Sequence, residues 1–220
     1  MIRCFKRPKI SYILIAIFDS QGNYLNIYAF QFIKFSYPFV INISSVLWTF
    51  LFTCLFIKLY KYKFSHFMGT FVSVLGIVLI LYGYWNNNTD EKFDSVKGII
   101  LCSSSALLYS LSSVIQEINF KSGIDIYEFF PWFGFIGMII TGVEAYFFGD
   151  YANFVDKAVN FDAKIILLII AASGSLFIFV SIVPFFIKRL SASMFNISQV
   201  SQIFWSFLIG KILIPEQKLV

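Results

Sequence analysis

Charge is what this sequence has least of. Only 13% of its 220 residues are Asp, Glu, Lys or Arg, where a soluble domain carries about 25%. Histidine is scarcer still, with His66 the single example. No Ser–His–acid set and no histidine metal motif stands out, so nothing points to a membrane enzyme. The three cysteines, Cys4, Cys54 and Cys102, show no paired spacing. They offer neither a disulfide framework nor a CxxC metal or redox motif, and no cofactor is implied. The net charge of +5 sits mostly in short loops, which argues against a nucleic-acid partner.

What the chain has in abundance is apolar surface. Hydrophobic residues make up 59% of it, against about 45–50% in a typical soluble domain. A soluble fold of this size could not hide so much; a lipid bilayer can. A helix needs roughly 20 apolar residues to cross the hydrocarbon core. Five runs free of Asp, Glu, Lys and Arg reach that scale, and two more qualify with one internal acid each, Asp19 and Glu144. Seven spans are therefore expected, at 10–33, 35–57, 64–85, 98–117, 127–149, 164–187 and 190–214. Backbone in lipid must satisfy its own hydrogen bonds, so the spans read as helices and the fold class as an all-α integral membrane protein. The basic start runs into the first apolar stretch without a small-residue cleavage site, so a first span is expected there, not a signal peptide.

Lys and Arg placement sets the expected orientation. With a cytoplasmic N-terminus (residues 1–9), ten basic residues lie inside: Arg3, Lys6, Arg7, Lys9, Lys58, Lys61, Lys63, Lys121, Lys188 and Arg189. Seven lie outside. Asn87-Asn88-Thr89 would then be a candidate glycosylation acceptor on the far side.

A repeat is visible inside the chain. Phe32-Ile33-Lys34, seven residues, then Asn42-Ile43-Ser44-Ser45-Val46 recurs as Phe186-Ile187-Lys188, seven residues, then Asn196-Ile197-Ser198-Gln199-Val200, and Phe50 matches Phe204. The offset is 154 throughout. The copies fall in the second and seventh spans. An odd number of crossings separates them, so they point in opposite directions. Inverted repeats are common in secondary transporters, with the substrate held near the midplane at the repeat interface.

Polar side chains inside the membrane are functional candidates because they cost free energy to place there. Asp19 is the foremost, with Asn23 one turn later on the same face and Tyr24 beside it. Asn42 and Asn196 hold equivalent repeat positions. Gln199 lies one turn from Asn196, with Gln202 further on, a polar stripe suited to a cavity wall or to interhelical hydrogen bonds. Ser103-Ser104-Ser105, Ser110, Ser112 and Ser113 give the fourth span a small-residue surface for close packing, and Gly134, Gly137 and Gly142 read the same way. Glu144, near the end of its span, reads as a site residue or as an interfacial acid. Pro184 is placed to break or kink its helix before Lys188.

These residues also resemble a family, the F-type branch of solute carrier family 35 in the drug/metabolite transporter superfamily. Asp19, Asn23, Tyr24, Ala29 and Gln31 follow that branch's spacing in the first span. The third span opens with His66 and Gly69 and continues to Gly76, and the fourth carries Tyr109 and ends on Glu117. Pro184, Lys188, Ser191-Ala192-Ser193 and Asn196 resemble the joint between the family's eighth and ninth helices. Asn42 stands where the branch has an acid, and Gln116 replaces the first of an acidic pair.

The resemblance implies a fold of ten helices in two inverted halves that moves small organic metabolites by alternating access. This chain would begin at the third helix and stop after the ninth. Residues 10–117 would complete the first half and start the second, and 118–220 would supply the remainder. The expected substrate site is Asp19, Asn23, Tyr24, Asn42, Tyr109, Asn196 and Gln199. The expected cargo is a nucleotide sugar, a nucleoside or a vitamin-like amine. The deep acids favour a neutral or cationic solute, since nucleotide sugars are anionic. Proton coupling, a homodimer, and residence in the endomembrane system or the plasma membrane are carried as further expectations. A truncated protein that does not transport, and a seven-helix receptor-like protein, are the alternatives from other classes.

Overall fold

The computed structural model describes residues 9–33, 36–57, 64–87, 92–147 and 163–199, together with 201, 204, 205 and 208. Expectations that fall on Lys34, the 58–63 loop, the His66 side chain, Asn88-Thr89, Val200 and Gln202 lie outside the described residues.

Every regular element among the described residues is helical. They are α1 (Ile10–Ala29), α2 (Ser36–Asn42), α3 (Ser44–Phe56), α4 (Phe64–Asn87), α5 (Lys92–Lys121), α6 (Ile126–Phe147), α7 (Ala163–Arg189) and α8 (Ala192–Ser198). Helices α2 and α3 are one run interrupted at Ile43, which makes seven helical runs among the described residues; of the expected 190–214 span, the described helix is Ala192–Ser198, and most of the span beyond it lies outside the described residues. Among the described residues, four stretches are long and apolar enough to cross a membrane: Tyr37–Phe56, Val96–Lys121, Ile126–Phe147 and Ile166–Arg189. The protein is an all-α membrane protein.

Boundaries differ from the acid-free runs where polar residues continue a helix. α5 starts at Lys92 and runs past Glu117 to Lys121, because backbone pairing does not stop where hydropathy does. It ends on Gly123, at φ 87°. Gly123 donates to the Phe120 carbonyl (3.2 Å) and Ile124 to the Asn119 carbonyl (3.2 Å). This is the paired closure that a left-handed glycine permits at a helix end. α7 passes through Pro184 without a break and stops at Arg189. The missing N–H there costs the helix its bond to the Val180 carbonyl.

Helix α5 is the centre of the bundle. It packs against α1, α2, α3, α7 and α8, while α1 also packs on α6 and α3 on α8. Small residues make this possible. Ser105, Ala106 and Ser110 of α5 have no exposed surface, and Ser112 and Ser113 are also buried. Ser105 Oγ donates to the Gly22 carbonyl of α1 (2.7 Å), and Ser110 Oγ donates to the Ser45 carbonyl of α3 (2.9 Å). A Cβ on Gly22 would lie 3.1 Å from the Tyr109 ring, so the close approach of α1 to α5 depends on glycine at that point. In a bilayer there is little hydrophobic force between helices, and such small-residue contacts and hydrogen bonds supply the association. The glycines of α6 do not follow this pattern. A Cβ on Gly137 would meet Ser20 at 3.9 Å, and Gly134 and Gly142 face open space among the described residues.

Apolar clusters close both ends of the α1–α5 pair, which run antiparallel. At one end Tyr12, Ile15, Phe120, Ile124, Phe129, Ile187 and Phe195 pack together. At the other, Ala29, Ile33, Ile41 and Cys102 do so.

Candidate functional site

A cavity of about 240 Å³ lies in the bundle between these clusters, and helices α1, α2, α3, α5, α6, α7 and α8 all reach it. Helical periodicity builds its polar wall. On α1, Asp19, Asn23 and Asn26 recur at i, i+4 and i+7, the spacing of one helix face, and all three line the cavity. On α5, Tyr109, Ser113 and Gln116 repeat the same spacing. Asn42 with Ser45, and Asn196 with Gln199, add two shorter i, i+3 pairs. Phe129 and Phe133 of α6 and Phe179 and Val183 of α7, each i, i+4, form the apolar side.

Hydrogen bonds tie part of the wall together. The Asn23 amide donates to the Asp19 carbonyl (2.8 Å) and to Asp19 Oδ2 (3.3 Å). Tyr109 Oη donates to Asn23 Oδ1 (2.8 Å), which completes an Asp19–Asn23–Tyr109 chain from α1 to α5. Asn42 Nδ2 donates to Asn26 Oδ1 (2.8 Å). Asn196 Nδ2 donates to Thr49 Oγ1 (2.6 Å), a contact between the two repeated segments. Asp19 is the sole charged side chain among the described residues of the lining, and no basic group faces it there. The wall therefore offers one carboxylate, several amides and hydroxyls, and aromatic faces.

Six of the seven residues expected from the sequence line this one cavity: Asp19, Asn23, Asn42, Tyr109, Asn196 and Gln199. Tyr24 does not. It follows Asn23 by one residue, about 100° round the helix, and its ring stacks on Tyr28 at 6.1 Å. Sequence reasoning passed over Asn26, Ser45, Ser113 and Gln116 as site residues. The i, i+4, i+7 spacing from Asp19 and from Tyr109 was the signal that would have found Asn26 and Gln116. Glu144, the other intramembrane acid, is absent from the lining and instead accepts a hydrogen bond from the Gln21 amide, joining α6 to α1.

One buried acid lies beyond the cavity. Glu117 is 1% exposed. Its Oε1 pairs with Lys121 Nζ (2.6 Å), and its Oε2 accepts the Ala192 backbone N–H (2.8 Å). It thus holds the start of α8 against the end of α5. Ser191, which caps α8 by accepting from Met194 N (3.1 Å), completes the joint. Lys188 approaches Asp125 at 4.0 Å on the same end of the bundle.

A bundle of apolar helices built around a solute-sized polar cavity defines a multi-pass membrane protein equipped to hold a small molecule. The comparison with known proteins then fixes the family. The model of solute carrier family 35 (SLC35F) matches residues 1–218, and the chain belongs to that family of membrane transporters. It is 28% identical over 226 residues to solute carrier family 35 member F2 of Mus musculus, covering 96% of this chain and 55% of the relative. It is 26% identical over 216 residues to solute carrier family 35 member F2 of Xenopus tropicalis, covering 96% and 54%. An uncharacterised solute carrier family 35 member of Schizosaccharomyces pombe is 23% identical over 204 residues, covering 90% and 39%. The chain thus spans about half the length, or less, of the curated relatives it matches. No solved structure matches it.

Proposed function

We propose that the cavity is the substrate site of a secondary transporter that moves a small organic solute, neutral or cationic, by alternating access. One observation carries this reading: four polar stripes on separate helices converge on one cavity whose sole charged lining residue, among those described, is Asp19. Its size agrees. About 240 Å³ is below the roughly 300–1,000 Å³ of pockets for drug-sized ligands, so a nucleoside or vitamin-like amine suits it better than a nucleotide sugar. The repeat adds support, since Asn42 and Asn196, 154 residues apart, share the cavity wall. Transport is proposed of the whole protein, because these residues span about half the length of their relatives.

Saturable uptake into proteoliposomes tests the reading, with adenosine and thiamine as candidate cargo and a uridine diphosphate sugar as the anionic control. Uptake of the sugar alone would overturn the charge argument. We also propose that the N-terminus is cytoplasmic. Lys121 and Lys188 lie at the end of the bundle to which Lys9, just before α1, also belongs, so the positive-inside rule assigns that end to the cytoplasm. Cysteine labelling of the 118–127 turn from the outside would contradict it.

A further inference from the structure

The polar wall of the cavity divides into groups that satisfy each other and groups that do not. Asp19, Asn23 and Tyr109 form a closed chain, and Asn196 is held by Thr49. Asn42 and Gln116 are different. Asn42 donates an amide N–H to Asn26 Oδ1, and its own Oδ1 is buried with no partner among the described residues. Gln116 is 5% exposed. Its Nε2 donates to Ser112 Oγ (3.2 Å), and its Oε1 likewise has no partner among the described residues. Ser45 Oγ, one turn from Asn42, is a third oxygen without a partner among them. All three residues line the cavity. Ser44 Oγ, Thr53 Oγ1 and Asn119 Nδ2 are also buried without partners, but they lie outside the lining. The informative feature is the coincidence of orphan acceptors with the cavity wall.

An unsatisfied buried acceptor destabilises the unliganded protein by its lost hydration. A ligand N–H or O–H that fills it recovers that loss, and an analogue lacking the donor leaves the acceptor unpaired and is rejected. With the Asn42 amide nitrogen committed to Asn26 Oδ1, Oδ1 is the atom left for a ligand.

We propose that Asn42 and Gln116 are specificity-determining residues that read hydrogen-bond donors on the solute, so that the cargo is a compact polar molecule carrying at least two N–H or O–H groups. The proposal rests on the reading of this cavity as the solute site. It assigns the division of labour within the site. Asp19 sets the tolerated charge, the aromatic side chains give apolar contact, and the two amides select for donors.

The test uses isosteric probe pairs and the full chain in lipid nanodiscs. Nicotinamide is compared with 3-acetylpyridine, and adenosine with purine riboside; the second member of each pair lacks the amino donors at nearly equal size. The donor-bearing probe is expected to bind at least about tenfold more tightly, the worth of one good hydrogen bond. Gln116→Met, which keeps the side-chain length and removes both polar atoms, should shrink that ratio to below about threefold. It should leave the unfolding temperature of the ligand-free protein unchanged or raise it. Equal affinity for both members of each pair would overturn the donor reading while leaving the site intact. A marked fall in the unfolding temperature of Gln116→Met would overturn it too, by showing that Oε1 has a structural partner. If none of the four probes binds saturably, the solute-site reading fails and the proposal falls with it.

Discussion

Helices α5 and α7 reverse the logic of a soluble core. The stretch Ile166–Arg189 of α7 has a mean hydropathy of 2.7 and is the least buried of the four membrane-length stretches; Val96–Lys121 of α5 has 1.7 and is the most buried. Leu167, Ile170, Phe177 and Ile178 of α7 are exposed, while Ser105, Ser110 and Ser112 of α5 are enclosed. In water the more apolar helix would go inside. In lipid its exposure carries no penalty, and small or hydroxylated surfaces that allow close approach and interhelical hydrogen bonds decide which helix is central.

Glycine offers the sharpest way to break this contrast. Gly22→Leu would drive a side chain into the Tyr109 ring and the Ser105 carbonyl. It should destabilise the bundle by about 3 kcal/mol or more, near the upper end of ordinary overpacking costs. The matched change Gly174→Leu on α7 meets nothing within 4 Å, and should stay within about 0.5 kcal/mol. Unfolding in detergent, followed by tryptophan fluorescence, reads both. Similar losses at the two sites would mean that the α1–α5 contact is not the organising one.

The joint at Glu117 comes next in size. Glu117→Ala leaves the Ala192 N–H without its acceptor and should cost about 1–3 kcal/mol. Lys121→Ala keeps the bond to Ala192 but leaves the buried Glu117 carboxylate without its cation, and should cost a comparable amount, about 3 kcal/mol. A negligible loss from Lys121→Ala would mean that the Ala192 N–H alone holds Glu117 in place.

Tyr109→Phe should have the smallest effect of the changes at interhelical contacts. It removes one hydroxyl bonded to Asn23 and should lower stability by about 1 kcal/mol. A shift in solute affinity larger than its shift in stability would place the hydroxyl on the ligand as well.

Much of this architecture was legible before any coordinates. Runs without Asp, Glu, Lys or Arg located the helical runs, because a charge inside lipid is expensive wherever the fold puts it. The serine surface of α5 was legible for the same reason in reverse. The break at Ile43 between α2 and α3 was not, since Asn42-Ile43-Ser44 contains neither glycine nor proline to announce it. The tie between Glu117 and Ala192 spans 75 residues, and no local pattern encodes it. Within the site, intramembrane polarity pointed to Asp19 and Asn23; Tyr24, expected from the resemblance and its closeness to Asp19, is not among the lining residues, whereas helical spacing leads to Asn26. Gln116 stood out in the sequence only as a departure from the family pattern, although its i+7 spacing from Tyr109 already placed it on the same helix face.

The account rests most heavily on Asp19 as the charge that defines what the cavity accepts. Asp19→Asn keeps the size of the side chain and its place beside Asn23, and removes the negative charge. The decisive measurement is saturable uptake of a cationic and a neutral solute by this variant and the unchanged protein, over a range of pH and at matched membrane insertion. The expected result is loss of uptake of the cation, with a loss or a changed pH dependence for the neutral solute. Uptake equal to that of the unchanged protein for both solutes at every pH would contradict the account and reduce Asp19 to a packing residue.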